Sequence, residues 1–326
     1  MDELLRVEHL TTWLSTRSGV IAAVDDVSFT VGRGRTVALV GESGSGKSAT
    51  CLSIMQLLPV NGHHAGGHVW FKGEDLTTKS HRELENIRGS QIGMILQDPM
   101  TSLNPLLTVG RQVGEIFKYH KGVSDPAERK RMSIEVLRKV GIPAAEERVE
   151  SYPHQFSGGM RQRVSIAMNV GGSPELLIAD EPTTALDVTI RLQILELLAE
   201  IQQTTGMSII LVTHDLHTVA KFCDDVMIMY AGRVVEEGPV SEVFARPGHP
   251  YTEGLLQAIP RFMHDADRLT TIPGQPPSLL DLPKGCRFAP RCPHATDQCR
   301  NEYPEWYATP SGDRRVACWL AEERLS

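Results

Sequence analysis

Residues 36–58 read TVALVGESGSGKSATCLSIMQLL, with Gly41-Glu42-Ser43-Gly44-Ser45-Gly46-Lys47-Ser48 at their centre. The short apolar run before the glycines predicts a buried strand, and the apolar-periodic run after them predicts a helix. In that setting the pattern G-x-x-x-x-G-K-[ST], met in full, is a phosphate-binding loop. Glycines let the backbone curl so that successive N–H groups point inward, and the helix N-terminus adds favourable partial charge. Lys47 is placed to reach the β and γ phosphates, the Ser48 hydroxyl to ligate Mg²⁺, and Ala49 to follow in the first helical turn. A glycine-rich structural turn is the plain alternative, but a chance match in a chain this long is on the order of 1%.

Outside this stretch the 326 residues have an ordinary soluble composition, 41% hydrophobic and 22% charged, enough for one large α/β domain and a smaller one. A net charge of −7 gives no basic field for nucleic acid. The opening MDELLRVEHLTTW is acidic and lacks the apolar segment of a secretory signal. No apolar run approaches the roughly 20 residues that span a bilayer. These features place the chain in the cytosol, free to sit against a membrane partner.

Along the chain, VDDVSFTV alternates as a half-buried strand, whereas LLIAD and MSIILVT are apolar without alternation, as strands covered on both faces are. Residues from about 98 to 170 turn helical. There Met132, Val136, Leu137 and Val140 form one face before a stop at Gly141. A second helix carries Ile190, Ile194, Leu197, Leu198 and Ile201 on one stripe and closes at Gly206. VMIMYAGRVVEEG predicts a hairpin turning at Ala231-Gly232. Composition shifts to Pro, Gly and Cys beyond residue 238, which puts a domain boundary near 240.

Three more stretches bear on chemistry. In LLIADEPTTALD, Asp180 ends a buried strand where its carboxylate can hold Mg²⁺, and the adjacent Glu181 can polarise an attacking water. His214 follows another buried strand, where it gains meaning only beside a phosphate site. In SYPHQFSGGMRQRVSIAMNV, Ser157-Gly158-Gly159 opens a helix and makes a second anion-binding N-terminus. One γ-phosphate does not need two cradles from the same fold, but two chains facing head to tail would use both.

From residue 4 to about 240 this ordered set resembles the ATP-binding subunits of ABC transporters. The resemblance implies an α/β P-loop ATPase domain over 1–240: a RecA-like core, an antiparallel β subdomain and a helical subdomain at about 98–170. It makes Gln97 of MILQDPMTSLNP a glutamine that senses Mg²⁺ and attacking water, Glu181 the general base and His214 a γ-phosphate contact. It makes Ala185-Leu186-Asp187 a further dimer-facing loop and Trp13 the candidate for stacking on adenine, although Trp13 reads equally as a core residue. Phe156 and Met160 replace the outer residues of the usual L-S-G-G-Q, leaving Ser-Gly-Gly intact. ATP, Mg²⁺ and a second ATPase subunit, self or paralogue, follow as expectations.

Repair members of that family insert long coiled coils and translation members carry two cassettes. Here sixty residues separate Gln97 from Ser157, without sustained heptads, and one cassette is present. The tail GPVSEVFARPGHPYTEGLLQAIPR and IPGQPPSLLDLPKGCRFAPRCPHATDQC resembles the C-terminal extension, here 241–326, of dipeptide, oligopeptide and nickel importers. That implies two integral permeases, an extracytoplasmic binding protein and a peripheral place on the cytoplasmic face of the inner membrane. Peptides are the expected cargo, with nickel or glutathione-like substrates, or a non-transport ATPase, as alternatives.

Cys51 and Cys223 stand in apolar contexts and read as buried, inert thiols. Cys286, Cys292, Cys299 and Cys318 are spaced C-x5-C-x6-C-x18-C, neither the paired spacing of structural zinc nor a ferredoxin run. A reducing compartment argues against disulfides. The family resemblance implies a 4Fe–4S cluster at these four positions; zinc, an empty site, or His294 as a ligand stay open.

Overall fold

The computed structural model describes residues 2–98, 102–184, 186–258 and 271–325. The chain divides into two compact units. One comprises Met1–Leu4, Val31–Arg35 and Thr78–Val212; the other Leu5–Thr30, Thr36–Thr77 and Thr213–Ser326.

In the first unit the strands Ile92–Ile95, Leu176–Asp180 and Ser208–Thr213 run parallel, with Ile92 opposite Leu176 and Asp180 opposite Val212. The latter two strands are buried at every position, which is why their sequences do not alternate. Helices Val109–His120, Pro126–Lys139 and Gly158–Val170 fill the stretch read as helical. The expected face on Pro126–Lys139 is rotated: Ser133, Leu137 and the following Val140 are buried, while Met132 and Val136 are half-buried. The cause is local. Ser133 Oγ donates to the carbonyls of Gly110 (3.2 Å) and Arg129 (2.8 Å), so a small polar residue faces the glycines of the neighbouring helix. On Val188–Thr205 the stripe is Ile194, Leu195, Leu197, Leu198 and Ile201, with Ile190 half-buried instead.

The second unit holds an antiparallel sheet in the order Gly19–Gly32, Glu3–Thr16, Gly62–Phe71, Glu74–Asp75. Beside the phosphate loop, Thr36–Val40 pairs in parallel with Asp225–Tyr230. The latter turns at Ala231 and Gly232, both at positive φ, into Arg233–Pro239, as a tight hairpin requires. Two short strands follow that the composition did not suggest. Arg315–Val316 pairs with Arg233–Pro239, and Tyr307–Ala308 pairs with Arg315–Val316. One apolar core packs Val40 and Ile228 with Tyr251, Leu256 and Phe288.

A buried charge cluster fixes the start of helix Pro250–Gln257. The Glu236 carboxylate accepts the N–H groups of Gly248 (2.9 Å) and His249 (3.0 Å) and pairs with Arg314 at 2.5 Å. His249 caps that helix, its Nδ1 accepting the Tyr251 N–H at 3.0 Å. Burial, helped by Arg324, pushes the His249 pKa down from 6.5 to about 3. The folded state therefore binds fewer protons than the unfolded state between these values, so this contribution is intact above pH 6.5 and lost as pH falls. At most ~1.4 kcal/mol per pH unit is at stake. The wild-type melting temperature should fall more steeply between pH 6.5 and 4.5 than that of His249→Asn, which keeps a capping acceptor and does not titrate. Parallel melting curves would count against a neutral buried His249.

Candidate nucleotide-binding site

The phosphate loop is walled by backbone. A Cβ on Gly41 would stand 2.1 Å from the Met229 carbonyl oxygen. One on Gly46, which has φ +107°, would stand 2.3 Å from that of Ala23. Only glycine fits either place. Gly232 donates its N–H to the Ser45 carbonyl at 2.8 Å, tying the hairpin turn to the loop. Lys47 opens helix Lys47–Ile54 and donates through Nζ to the carbonyls of Gly41 (2.8 Å) and Glu42 (2.9 Å). Its ammonium is thereby curled over the loop. Ser45 Oγ is buried without a hydrogen-bond partner among the described residues, a polar atom that a phosphate oxygen would satisfy. Ser43, Gly44 and Ser48 are exposed, so the loop is open to solvent on its concave side. These residues fit a bound phosphate chain.

Trp13 lies on strand Glu3–Thr16, 43% exposed, with its ring edge-on to His63 at 5.6 Å. At that exposure it is not a core residue. His214 is exposed just past strand Ser208–Thr213.

In the first unit the structure brings Gln97 and Glu181 together: Gln97 Nε2 donates to Glu181 Oε2 at 3.1 Å. Thr184 Oγ1 donates to the same oxygen at 2.7 Å. Thr184 was not singled out from sequence; its place three residues beyond Glu181, on the turn that Glu181 begins, was the available signal. Glu181 has φ +46° and donates its N–H to the Val212 carbonyl at 3.1 Å, so a neighbouring strand holds it in the left-handed region. Asp180 ends its strand buried. Asp180 and Gln97 carry oxygen atoms of the kind that a hard Mg²⁺ takes.

Ser157 caps helix Gly158–Val170, its Oγ accepting the Met160 N–H at 3.4 Å, with Ser157 and Gly158 exposed. A Cβ on Gly159 would meet Ile190 Cγ2 at 2.6 Å, so Ile190 packs on this turn rather than in the helical stripe. Phe156 is buried beneath the Arg148 guanidinium, filling the apolar place that leucine usually takes. Asp187 caps helix Val188–Thr205 through the Ile190 N–H at 2.9 Å. Ala185 lies outside the described residues, as do Pro99, Met100 and Thr101 of the Gln97 stretch.

Cys286, Cys292, Cys299 and Cys318 line one small cavity with His249 and His294. All are free thiols. Burial raises the thiols of Cys286 and Cys318 to about 11 and that of Cys292 upward as well. The expected 4Fe–4S cluster finds no support in their arrangement. Among the described residues no three His, Cys, Asp or Glu side chains are set to hold a metal ion.

Residues 24–184 match the ABC transporter family, and residues 235–299 match the oligopeptide/dipeptide transporter C-terminal region. The chain is 48% identical to the oligopeptide transport ATP-binding protein OppD of Haemophilus influenzae over 326 residues, all of both chains. It is 50% identical to the dipeptide transport ATP-binding protein DppD of Bacillus subtilis, over 99% of this chain and 96% of that one. Among solved structures it resembles dimeric MJ0796, a bacterial ABC transporter cassette. The TM-score is 0.65 and the identity 29%, over 73% of this chain and 99% of that chain. No described helix is long and apolar enough to cross a membrane.

The walls of the phosphate loop make a direct test. Gly46→Ala should cost about 2 kcal/mol or more, since the new methyl meets a carbonyl in a backbone region closed to alanine. Thermal melting and titration with a fluorescent ATP analogue should show a less stable chain without measurable binding. Wild-type affinity would refute the geometry.

Proposed function

The chain belongs to the ABC transporter family, in its oligopeptide/dipeptide branch, and on that premise we propose that it is the ATP-hydrolysing subunit of a peptide importer. The observation that carries the hydrolytic part is Glu181 at a strand end, one carboxylate oxygen held by Gln97 and Thr184. Held in this way, Glu181 is placed to take a proton from an attacking water. Full-length likeness to peptide-transport ATP-binding proteins supports peptides as the cargo.

In this reading the loop from Gly41 to Ala49 binds ATP, with Glu42 and Ser43 in its outer turn. Lys47 leaves its own loop carbonyls for the β and γ phosphates. Ser48, Asp180 and Gln97 hold Mg²⁺, which when bound offsets charge on the transferring phosphoryl group. Glu181 deprotonates water, His214 contacts the γ-phosphate and Trp13 stacks on adenine. Ser157, Gly158 and Gly159 serve the nucleotide of a second ATPase subunit, with Asp187 near that junction. ATP favours the paired state because only there do both cradles engage it, and hydrolysis reverses the shift.

Residues 1–240 form the cassette in this scheme, with the helical subdomain at about 98–170 facing two permeases. Residues 241–326 form the extension. The subunit sits peripherally on the cytoplasmic face, and an extracytoplasmic binding protein delivers the peptide. For the cysteines, the 4Fe–4S reading rests on the family resemblance, with the four thiols lining one small cavity, and no step of hydrolysis passes through it.

Glu181→Gln keeps size and polarity but removes the base. It should lower the ATPase rate at least ~100-fold with ATP affinity retained. Near wild-type turnover would remove Glu181 from that role. Protein purified without oxygen should carry about four iron atoms and four sulfides per chain and be brown. Colourless, iron-free protein would end the cluster proposal.

A further inference from the structure

The loop between Cys286 and Cys292 reads Arg287-Phe288-Ala289-Pro290-Arg291, and both arginines reach N-terminal segments of the same second unit. Arg287 pairs with Asp25 and donates to the Ala231 carbonyl. Arg291 goes to the phosphate loop. Its guanidinium grips the Glu42 carboxylate with both prongs, at 2.7 and 3.1 Å. Its remaining donors reach the carbonyls of Pro273 (2.9 Å) and Ile272 (3.3 Å) and the Tyr230 hydroxyl (3.3 Å). The Arg291 side chain is 4% exposed.

Every other polar group of Glu42 is also held. Its N–H donates to the Tyr251 hydroxyl at 2.9 Å. Its carbonyl accepts from Lys47 Nζ at 2.9 Å and from the Ser45 N–H at 3.2 Å. Tyr251 is itself fully buried against Tyr230 and Phe288, with ring centroids 4.6 and 5.4 Å away. Yet Glu42 occupies a position that the phosphate-loop pattern leaves open to any residue. The pattern requires nothing there, and this chain sets a buried arginine and a buried tyrosine on it.

We propose that Arg291 and Tyr251 are positioning residues for the ATP site: from the C-terminal extension they hold Glu42 and thereby fix the curl of the phosphate loop. A forked guanidinium–carboxylate pair is directional and stiff, unlike a lone ammonium contact. When a phosphate draws Lys47 away, the Glu42 carbonyl loses a donor, and the carboxylate and N–H anchors keep the loop in shape. Less ordering is then left for ATP binding to pay for.

The proposal rests on the ATP-hydrolase reading, and the full chain with MgATP tests both separately. Arg291→Gln and Glu42→Gln should each raise the ATP Kd and KM about tenfold, with kcat at saturation changed much less. Because both remove one coupling, the double variant should be no worse than either single one. Arg291→Lys should restore affinity only in part, and Tyr251→Phe, which keeps the ring and drops the hydroxyl, should weaken binding. Arg324→Gln, in a surface pair with Glu253, should leave ATP affinity unchanged. Wild-type affinity in a cooperatively melting Arg291→Gln, or strictly additive single effects, would overturn the proposal. Should Arg291→Gln not fold, Glu42→Gln with wild-type affinity overturns it equally. A wild-type chain that hydrolyses no ATP would instead strike the parent reading.

Discussion

Two carbonyl oxygens, of Met229 and Ala23, lie so close to the phosphate loop that neither Gly41 nor Gly46 tolerates a methyl group. Their positions are set far from the loop in sequence. Met229 follows the last residue by which Asp225–Tyr230 pairs with Thr36–Val40, and the hairpin it enters returns a hydrogen bond from Gly232 to Ser45. A loop so walled presents its amides in one curl before any ligand arrives. That rigidity lets a run of glycines, individually the most mobile residues, act as a fixed anion cradle.

The first unit meets a different constraint, which is to hold a carboxylate still. Asp180 is fixed by a strand buried on both faces, and Glu181 by a left-handed backbone turn bonded to Val212. Gln97 and Thr184 both donate to the same oxygen of Glu181. The left-handed backbone and the two donors together restrict how the Glu181 side chain can turn.

The C-terminal extension is joined to the rest of the second unit by more than chain connectivity. Arg315–Val316 adds to the sheet, Tyr251 and Phe288 enter the core, and the pair of Glu236 with Arg314 organises the start of helix Pro250–Gln257. Removing one partner of such a buried pair leaves an uncompensated charge. Contacts of this kind keep the cysteine-bearing loop in register with the hairpin beneath it.

The strand, loop and helix around Gly41–Ser48, the strand end at Asp180 and the helix start at Ser157 were legible from sequence, as were Gly206 and the Ala231-Gly232 turn. Each is a local pattern: the backbone conformation or ligand chemistry is imposed by neighbours within a few positions. Rotation of the Pro126–Lys139 face was not legible, because apolar periodicity ranks Met132 above Ser133 and only the Gly110 carbonyl reverses that order. Nor were the role of Thr184, the strands of the extension, or the geometry of the four cysteines. Sequence by itself determined a nucleotide-binding α/β chain with the ordered motifs of its family. Only the tertiary structure decided that Arg291 and Tyr251 stand on Glu42, since a contact across 249 residues depends on packing that no local pattern records.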